Sequence, residues 1–302
     1  MSTDYHRRLQ PVIRYLEQHY RDPPDLATIA APASLSPYHF HRIFTAVTGE
    51  TLAAYLRRLR LENIARQLFY GKADITTLAL EHGYASSQAL AKAFRAHFGI
   101  TASELRTCQD FASYRRALQN SKIGHGLRKN GHAAAGTVAY TAREPKQESN
   151  MTTLHTEQFA PRTLAYIRVT GAYGVGYEEA TGRLYQWAGA HGLADGECIF
   201  IYLDHPEVTP VERCRTDICL SVPPDTAVGG GIEKQTLPGG SYAVIRRTVT
   251  EPAQYAQYWQ ELMTAVVDAK LEVDNRPCFE YYHSFQPQPY AADVSFYVAV
   301  TL

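Results

Sequence analysis

No stretch of this chain's 302 residues approaches the roughly 20 consecutive apolar residues of a membrane-spanning helix, which excludes such a span. The amino terminus, Met1-Ser2-Thr3-Asp4-Tyr5-His6-Arg7-Arg8, lacks the apolar core of a secretory signal, so export is not expected. Cysteine is scarce. There are five, at 108, 198, 214, 219 and 278, an odd number with no Cys-x-x-Cys pair. That pattern fits a reduced, cytoplasmic setting in which most serve as small apolar residues. Cys214 and Cys219 have no His or Cys at zinc-ligand spacing, so no metal is expected. A Ser-His-Asp order and a phosphate-cradling glycine loop are also missing, and the sequence calls for no cofactor and no enzyme activity. Net charge is missing too, with 30 Lys and Arg balanced by 30 Asp and Glu.

That balance hides a division. Residues 1–150 hold 20 Lys and Arg against 12 Asp and Glu, an excess of eight positive charges. Residues 151–302 hold the other 10 and 18, an excess of eight negative. A basic half favours polyanions by releasing their condensed counterions, whereas an acidic half does not. The length accommodates two domains, each able to bury a core of its own.

The basic half states one pattern twice. Ile29-Ala30 recurs as Leu78-Ala79, and Phe40, Phe44, Gly49 and Thr51 recur as Leu90, Phe94, Gly99 and Thr101. Leu56-Arg57 is answered by Leu105-Arg106. Each copy reads as a short apolar helix, a break and a second helix with a polar outer face, the form of a helix-turn-helix. In the first copy Asp25 is placed to cap the leading helix, and Ser36 to cap a helix from Pro37 to Val47. Phe40, Ile43 and Phe44 would then face inward and Tyr38, His41 and Arg42 outward. In the second copy Gly83 supplies the turn and Ser86 the cap. Leu90, Ala93 and Phe94 point inward there, leaving Ser87, Gln88, Ala89 and Lys92 outside. Between the copies, Leu52–Phe69 reads as a helical strut with an apolar face, about 27 Å long at 1.5 Å per residue. That is close to one turn of B-DNA.

The outward residues suit DNA bases: Arg42 can pair with guanine, Gln88 with adenine, and Ala89 can touch a thymine methyl. For a single such helix, a solvated face of an ordinary bundle is the simpler reading. Two matched copies in a basic half reverse that choice. His39 and His41 lie two apart and cannot share a helix face as metal ligands do.

Ser36-Pro37-Tyr38-His39-Phe40-His41-Arg42-Ile43-Phe44, Gly49, Tyr55, Arg57, Gly83-Tyr84 through Phe94, Phe98-Gly99 and Leu105-Arg106 resemble the DNA-binding domain of AraC-type regulators. The resemblance covers residues 8–107. It implies an all-α tandem helix-turn-helix that reads two major-groove segments of double-stranded DNA and often contacts RNA polymerase. By position it assigns base reading to Tyr38, His41, Arg42, Ser87, Gln88, Ala89 and Lys92. Two departures stand out. Pro32 falls late in the first leading helix, where it should shorten or kink it, and Ala102 stands where the family often has proline.

From Cys108 to Asn150 the periodicity fades. Phe111–Leu118 can extend as a helix, and the remainder, with Gly124-His125-Gly126 and Arg143 to Glu148, reads as linker. Beyond residue 151 short β-rich runs appear, at 163–169, 198–203, 216–222, 232–237, 241–248, 278–282 and 294–301. Two helical patterns, 177–191 and 252–270, interrupt them. The order is that of an α+β domain of two β-α-β-β modules, with Trp187 and Trp259 at comparable places on the two helices.

Thr170-Gly171-Ala172-Tyr173, Leu184-x-x-Trp187, Tyr202-Leu203-Asp204-His205-Pro206, Arg213-x-x-x-Asp217, Leu237-Pro238-Gly239-Gly240-Ser241-Tyr242 and Pro277-x-Phe279-Glu280-Tyr281-Tyr282 resemble the GyrI-like small-molecule-binding domain. The resemblance implies a cleft between the modules for an amphipathic, frequently cationic ligand, and it places the acidic partner on Glu280. Physically, Glu280 interrupts a strand-like aromatic run. A carboxylate held among Tyr173, Trp187, Trp259, Tyr282 and Tyr242 would attract a lipophilic cation by charge and by cation–π contact. The competing reading turns Glu280 to solvent and uses the tryptophans as core filler.

The expected protein has a DNA-binding domain at 1–107, a linker at 108–150 and an effector domain at 151–302. It is a cytoplasmic, ligand-responsive transcription regulator. Two other readings stay open. Some relatives of this kind act as hydrolases, with Glu280 and Tyr173 or Tyr242 as base and orienting hydroxyl. Alternatively the second domain binds a protein partner.

Overall fold

The computed structural model describes residues 5–33, 35, 37–108, 110–119, 154–206, 209–274 and 276–301. The chain divides into two compact units, Met1–Cys108 and Gln109–Leu302.

The first unit is helical: α1 (Tyr5–His19), α2 (Leu26–Ala30), α3 (Pro37–Thr48), α4 (Leu52–Tyr70), α5 (Ile75–Glu81), α6 (Ser87–Phe98) and α7 (Ala102–Arg106). Side-chain oxygens start most of them by accepting otherwise unpaired backbone N–H groups. Asp25 accepts from Thr28 at 2.8 Å, Asp74 from Thr76 and Thr77 at 2.8 and 2.9 Å, and Ser86 from Ala89 at 3.2 Å. Thr101 and Glu104 cap α7 reciprocally. Ser36, expected to cap α3, lies outside the described residues. α2 stops after five residues and continues as a 3₁₀ turn over Ala31–Ala33, whereas its counterpart α5 runs for seven. Pro32 has no N–H to carry α2 onward.

α4 packs on α3, α5, α6 and α7. Its first half, Leu52, Tyr55, Leu56 and Leu59, closes a core with Leu9, Val12, Phe40 and Phe44. Leu61, Ile64, Ala65 and Leu68 are buried along its second half, where Leu78, Leu90, Phe94 and Phe98 are also fully enclosed. α4 therefore buries more than the single apolar face read from the sequence, because it serves both helix-turn-helix copies. Even Arg58 and Glu62 are buried on it. Their charges are met by each other at 3.1 Å and by Glu50, which lies 2.8 Å from Arg58.

The second unit opens with α8 (Phe111–Gln119), inside the segment read as linker, with Tyr114 and Leu118 fully buried. Residues 120–150, the rest of that segment, lie outside the described residues. An antiparallel sheet follows: β1 (His155–Phe159), β2 (Arg162–Thr170), β3 (Cys198–Tyr202), β4 (Arg215–Ser221), β5 (Glu233–Leu237), β6 (Gly240–Val249), β7 (Glu272–Val273), β8 (Cys278–Pro287) and β9 (Tyr290–Thr301). Its strand order is β1-β6-β9-β8-β3-β4-β2-β5, with β7 beside β9. Helix α9 (Tyr177–Ala190) packs on β2 and β4, and α10 (Ala253–Asp268) on β6 and β9. Each helix thus covers one half-sheet, and β3 and β8 pair at the seam between the halves.

β1 and β7 have no counterpart among the strands read from the sequence. β1 buries only Phe159, and β7 is two residues long, so neither displays an alternating apolar pattern.

Candidate functional site

In the first unit, the inward positions of the two outer helices are occupied as the spacing requires. Phe40 and Phe44 on α3, and Leu90, Phe94 and Phe98 on α6, are fully buried. That fixes the opposite helix faces outward. His41 and Arg42 on α3 are exposed, as are Gln88, Ala89 and Lys92 on α6, while Ser87 is half-buried in the first turn. Tyr38 occupies α3 one turn before His41 and Arg42, but its side chain lies outside the described residues. His39 is exposed. Gly83 and Gly99 hold backbone φ of +74° and +81° at the turns flanking α6, where a side chain would be strained.

In the second unit, β8 is a centre strand. Register sets Glu280 opposite Phe200 of β3 on one side and Phe296 of β9 on the other. Alternation turns Glu280 and Tyr282 toward the helices, and Phe279 toward the opposite face. Glu280 is 0% exposed. Its carboxylate accepts three hydrogen bonds, from Trp259 Nε1 at 2.7 Å, Tyr202 hydroxyl at 2.8 Å and Tyr282 hydroxyl at 2.8 Å. Burial pushes the Glu280 carboxyl up to about 7, and the three donors hold it from rising further. Among the described residues no Lys, Arg or His pairs with it.

Aromatic rings wall the carboxyl. Tyr202 stands edge-on to Trp259 at 5.8 Å and to Tyr173 at 5.0 Å. Phe200 lies 4.8 Å from Tyr282, and Tyr255 6.3 Å from it. Burial raises the hydroxyls of Tyr177, Tyr202, Tyr255 and Tyr282 above their ordinary value. It also pushes the Cys198 thiol up to about 11. In this group only Glu280 changes charge near neutrality.

The residues expected around Glu280 divide three ways. Trp259 and Tyr282 bond to it directly. Tyr173 is one ring removed, donating its hydroxyl to the Asp204 carbonyl at 2.6 Å. Trp187 joins the packing beneath α9 and leans on His191, with ring centroids 4.9 Å apart. Tyr242 does not belong to the set. It points from β6 into the opposite face, among Phe159, Phe279 and Tyr297, and donates to the Pro238 carbonyl at 2.9 Å. The period of two along β6 puts it there, since its neighbours Ala243 and Ile245 take the helix-facing positions. The sequence reading missed Tyr177, Tyr202, Tyr255, Phe200 and Phe296. Two of these had a signal: Tyr202 repeats on the Phe200 face of β3, and Tyr255 precedes Trp259 by one helical turn.

Among the described residues, no group of three or more His, Cys, Asp or Glu is placed to hold a metal ion, and no helix is long and apolar enough to cross a membrane.

Comparison with known proteins gives two matches along the chain. Residues 29–107 match a helix-turn-helix domain family, and residues 152–299 match the GyrI-like small molecule binding domain. The regulatory protein SoxS of Salmonella typhimurium is 31% identical over 98 residues, 32% of this chain and 92% of that protein. The DNA gyrase inhibitor of Citrobacter rodentium is 28% identical over 146 residues, 47% of this chain and 93% of that protein. Among solved structures, the DNA-binding domain of AdpA in complex with a target DNA is 28% identical, with a TM-score of 0.32, covering 36% of this chain and 94% of that one. The chain belongs to the AraC-type family of DNA-binding regulators and carries a GyrI-like domain as its second half.

Proposed function

We propose that the protein is a ligand-responsive transcription regulator of the cytoplasm, in which a lipophilic cation bound at Glu280 changes how the first unit engages promoter DNA. One observation carries the sensing half: a fully buried carboxyl with no basic partner among the described residues, walled by aromatic rings. Burying a carboxylate is costly unless a positive charge meets it. A permanent cation with an apolar surface meets that charge and gains cation–π contact with the rings. The order β2-α9-β3-β4 and β6-α10-β8-β9, the latter interrupted only by the two-residue β7, supports reading the domain as two β-α-β-β modules with the ligand at their seam.

The DNA half rests on exposed polar faces backed by fully buried aromatic ones. We assign base reading to Tyr38, His41 and Arg42 on α3 and to Ser87, Gln88, Ala89 and Lys92 on α6. RNA polymerase is a candidate partner on family grounds alone.

The sensing reading is tested by titrating the full chain with benzyltriethylammonium while following tryptophan fluorescence, since Trp259 bonds to Glu280. A saturable response that Glu280→Gln abolishes supports it, and silence in the native protein refutes it for this ligand class. For DNA, Arg42→Ala and Gln88→Ala should each lose roughly 1–3 kcal/mol at one base position. A uniform loss across all sequences would instead assign them to phosphates.

A further inference from the structure

Helix α8 is needed by neither activity described so far. Among its described side chains, Tyr114 and Leu118, one turn apart, are fully buried. The Tyr114 ring meets His205 edge-on, with centroids 6.1 Å apart at 89°, and the helix packs beside α10. Those two contacts lead to opposite walls of the Glu280 cage. α10 carries Trp259, which donates to Glu280. His205 follows Asp204, whose carbonyl accepts the Tyr173 hydroxyl, and the Tyr173 ring abuts Tyr202, which also donates to Glu280. The turn at Asp204 is not slack. Arg215 holds the Asp204 carboxylate through its backbone N–H at 2.8 Å and its guanidinium at 2.6 and 2.8 Å. A shift of Tyr202 is therefore passed to the seat of α8 through packed and hydrogen-bonded groups.

In this structure the cage is closed, with Glu280 wholly enclosed. Trp259 and Tyr202 both donate to the carboxylate, so a cation that takes their place there parts them, and parting them moves the two surfaces on which α8 rests. We propose that α8 is a strap across the Glu280 cage that a bound cation unseats, so that ligand occupancy is transmitted to the chain joining the two units. The inference rests on the cation-binding reading above. α8 begins three residues after Cys108, where the first unit ends. It has nine residues, below the roughly 12–15 an isolated helix needs to persist in water. Once unseated it loses its helical hydrogen bonds, which makes the change measurable.

The experiment uses the full chain. Benzyltriethylammonium binding is measured by calorimetry and amide exchange over residues 111–119 by mass spectrometry, for the native protein, Tyr114→Ala and Tyr114→Phe. Ligand should speed exchange over 111–119. Tyr114→Ala should exchange fast without ligand and bind the probe roughly three- to thirty-fold more tightly, because the closed state no longer competes. Tyr114→Phe, which keeps the ring, should behave as the native protein does. Binding to the native protein with unchanged exchange over 111–119 would overturn the strap and leave the cation reading standing, whether or not Tyr114→Ala folds. Binding to Tyr114→Ala alone would overturn the strap as a ligand-released device, because the cation would then not unseat native α8. No binding to either would overturn both readings.

Discussion

Replacing Glu280 with glutamine separates charge from shape in the cage, and the structure sets the size of the effect. The carboxyl is raised by burial from 4.5 to about 7. At 1.36 kcal/mol per unit, ionising it inside the unliganded fold costs roughly 3 kcal/mol more than in the unfolded chain. The folded value lies above the unfolded one, so the fold binds the proton more tightly. Its stability contribution is intact below about pH 4.5, is lost as pH rises toward about 7, and stays lost above that. Glutamine never ionises. Glu280→Gln should therefore exceed the native protein in stability near pH 8 by up to roughly 3 kcal/mol, and should not exceed it near pH 4.5. Part of the gain is offset where the amide NH₂ meets donors. The Tyr202 and Tyr282 hydroxyls can turn to accept from it, whereas the Trp259 N–H can only donate. Cation affinity runs the other way. The native protein should bind benzyltriethylammonium about tenfold more weakly for each pH unit below about 7 and equally well above it, while Glu280→Gln binds weakly throughout. Urea unfolding of both proteins across this range, with calorimetry at each pH, gives both curves. A native affinity that is flat from about pH 5.5 to 8.5, or a stability difference between the two proteins that ignores pH, would refute the reasoning.

The other expectations concern the scaffold. His82 is fully enclosed at the end of α5 with neither ring nitrogen hydrogen-bonded among the described residues, and burial, aided by Arg21, Arg60 and Arg66, lowers it to about 4. Its folded value lies below the unfolded one, so roughly 3 kcal/mol of stability is present above about pH 6.5 and lost as pH falls toward about 4. His82→Leu should remove that slope in urea unfolding of the full chain. Asp74→Ala strips the cap from two α5 N–H groups and should cost about 1 kcal/mol, with Asp74→Ser recovering most of it. Tyr242→Phe should cost about 1 kcal/mol for the lost bond to Pro238 and leave cation affinity unchanged. A fall in affinity would place Tyr242 in the cage after all.

The helical half was legible in the sequence because its determinants are local. Ser86 caps the N–H three residues ahead, Gly99 supplies the positive φ that ends α6, and Pro32 cuts α2 short of its counterpart. A spacing of three and four residues fixes which side of a helix is buried, so Phe94 in the core implies Gln88 and Lys92 outside it. The same local rules could not show α4 buried against both copies, since a core on each side erases the one-sided pattern.

In the second half, most strands and both helices follow from periodicity, and Glu280 stands out as an acid within an aromatic run. Which residues surround it does not follow. Tyr202, Tyr282 and Trp259 come from β3, β8 and α10, and the pairing of β3 with β8 brings together residues 78 apart in sequence. Tyr242 shows the converse, since an aromatic in a fitting motif is turned to the far face by one step of strand alternation. By itself, then, the sequence determined most of the elements, the two-part organisation and the outward faces of α3 and α6, all set within a few residues along the chain. Only the tertiary structure decided what meets at the carboxyl and that α8 buries Tyr114 and Leu118, because strand register and helix packing join segments that no local pattern connects.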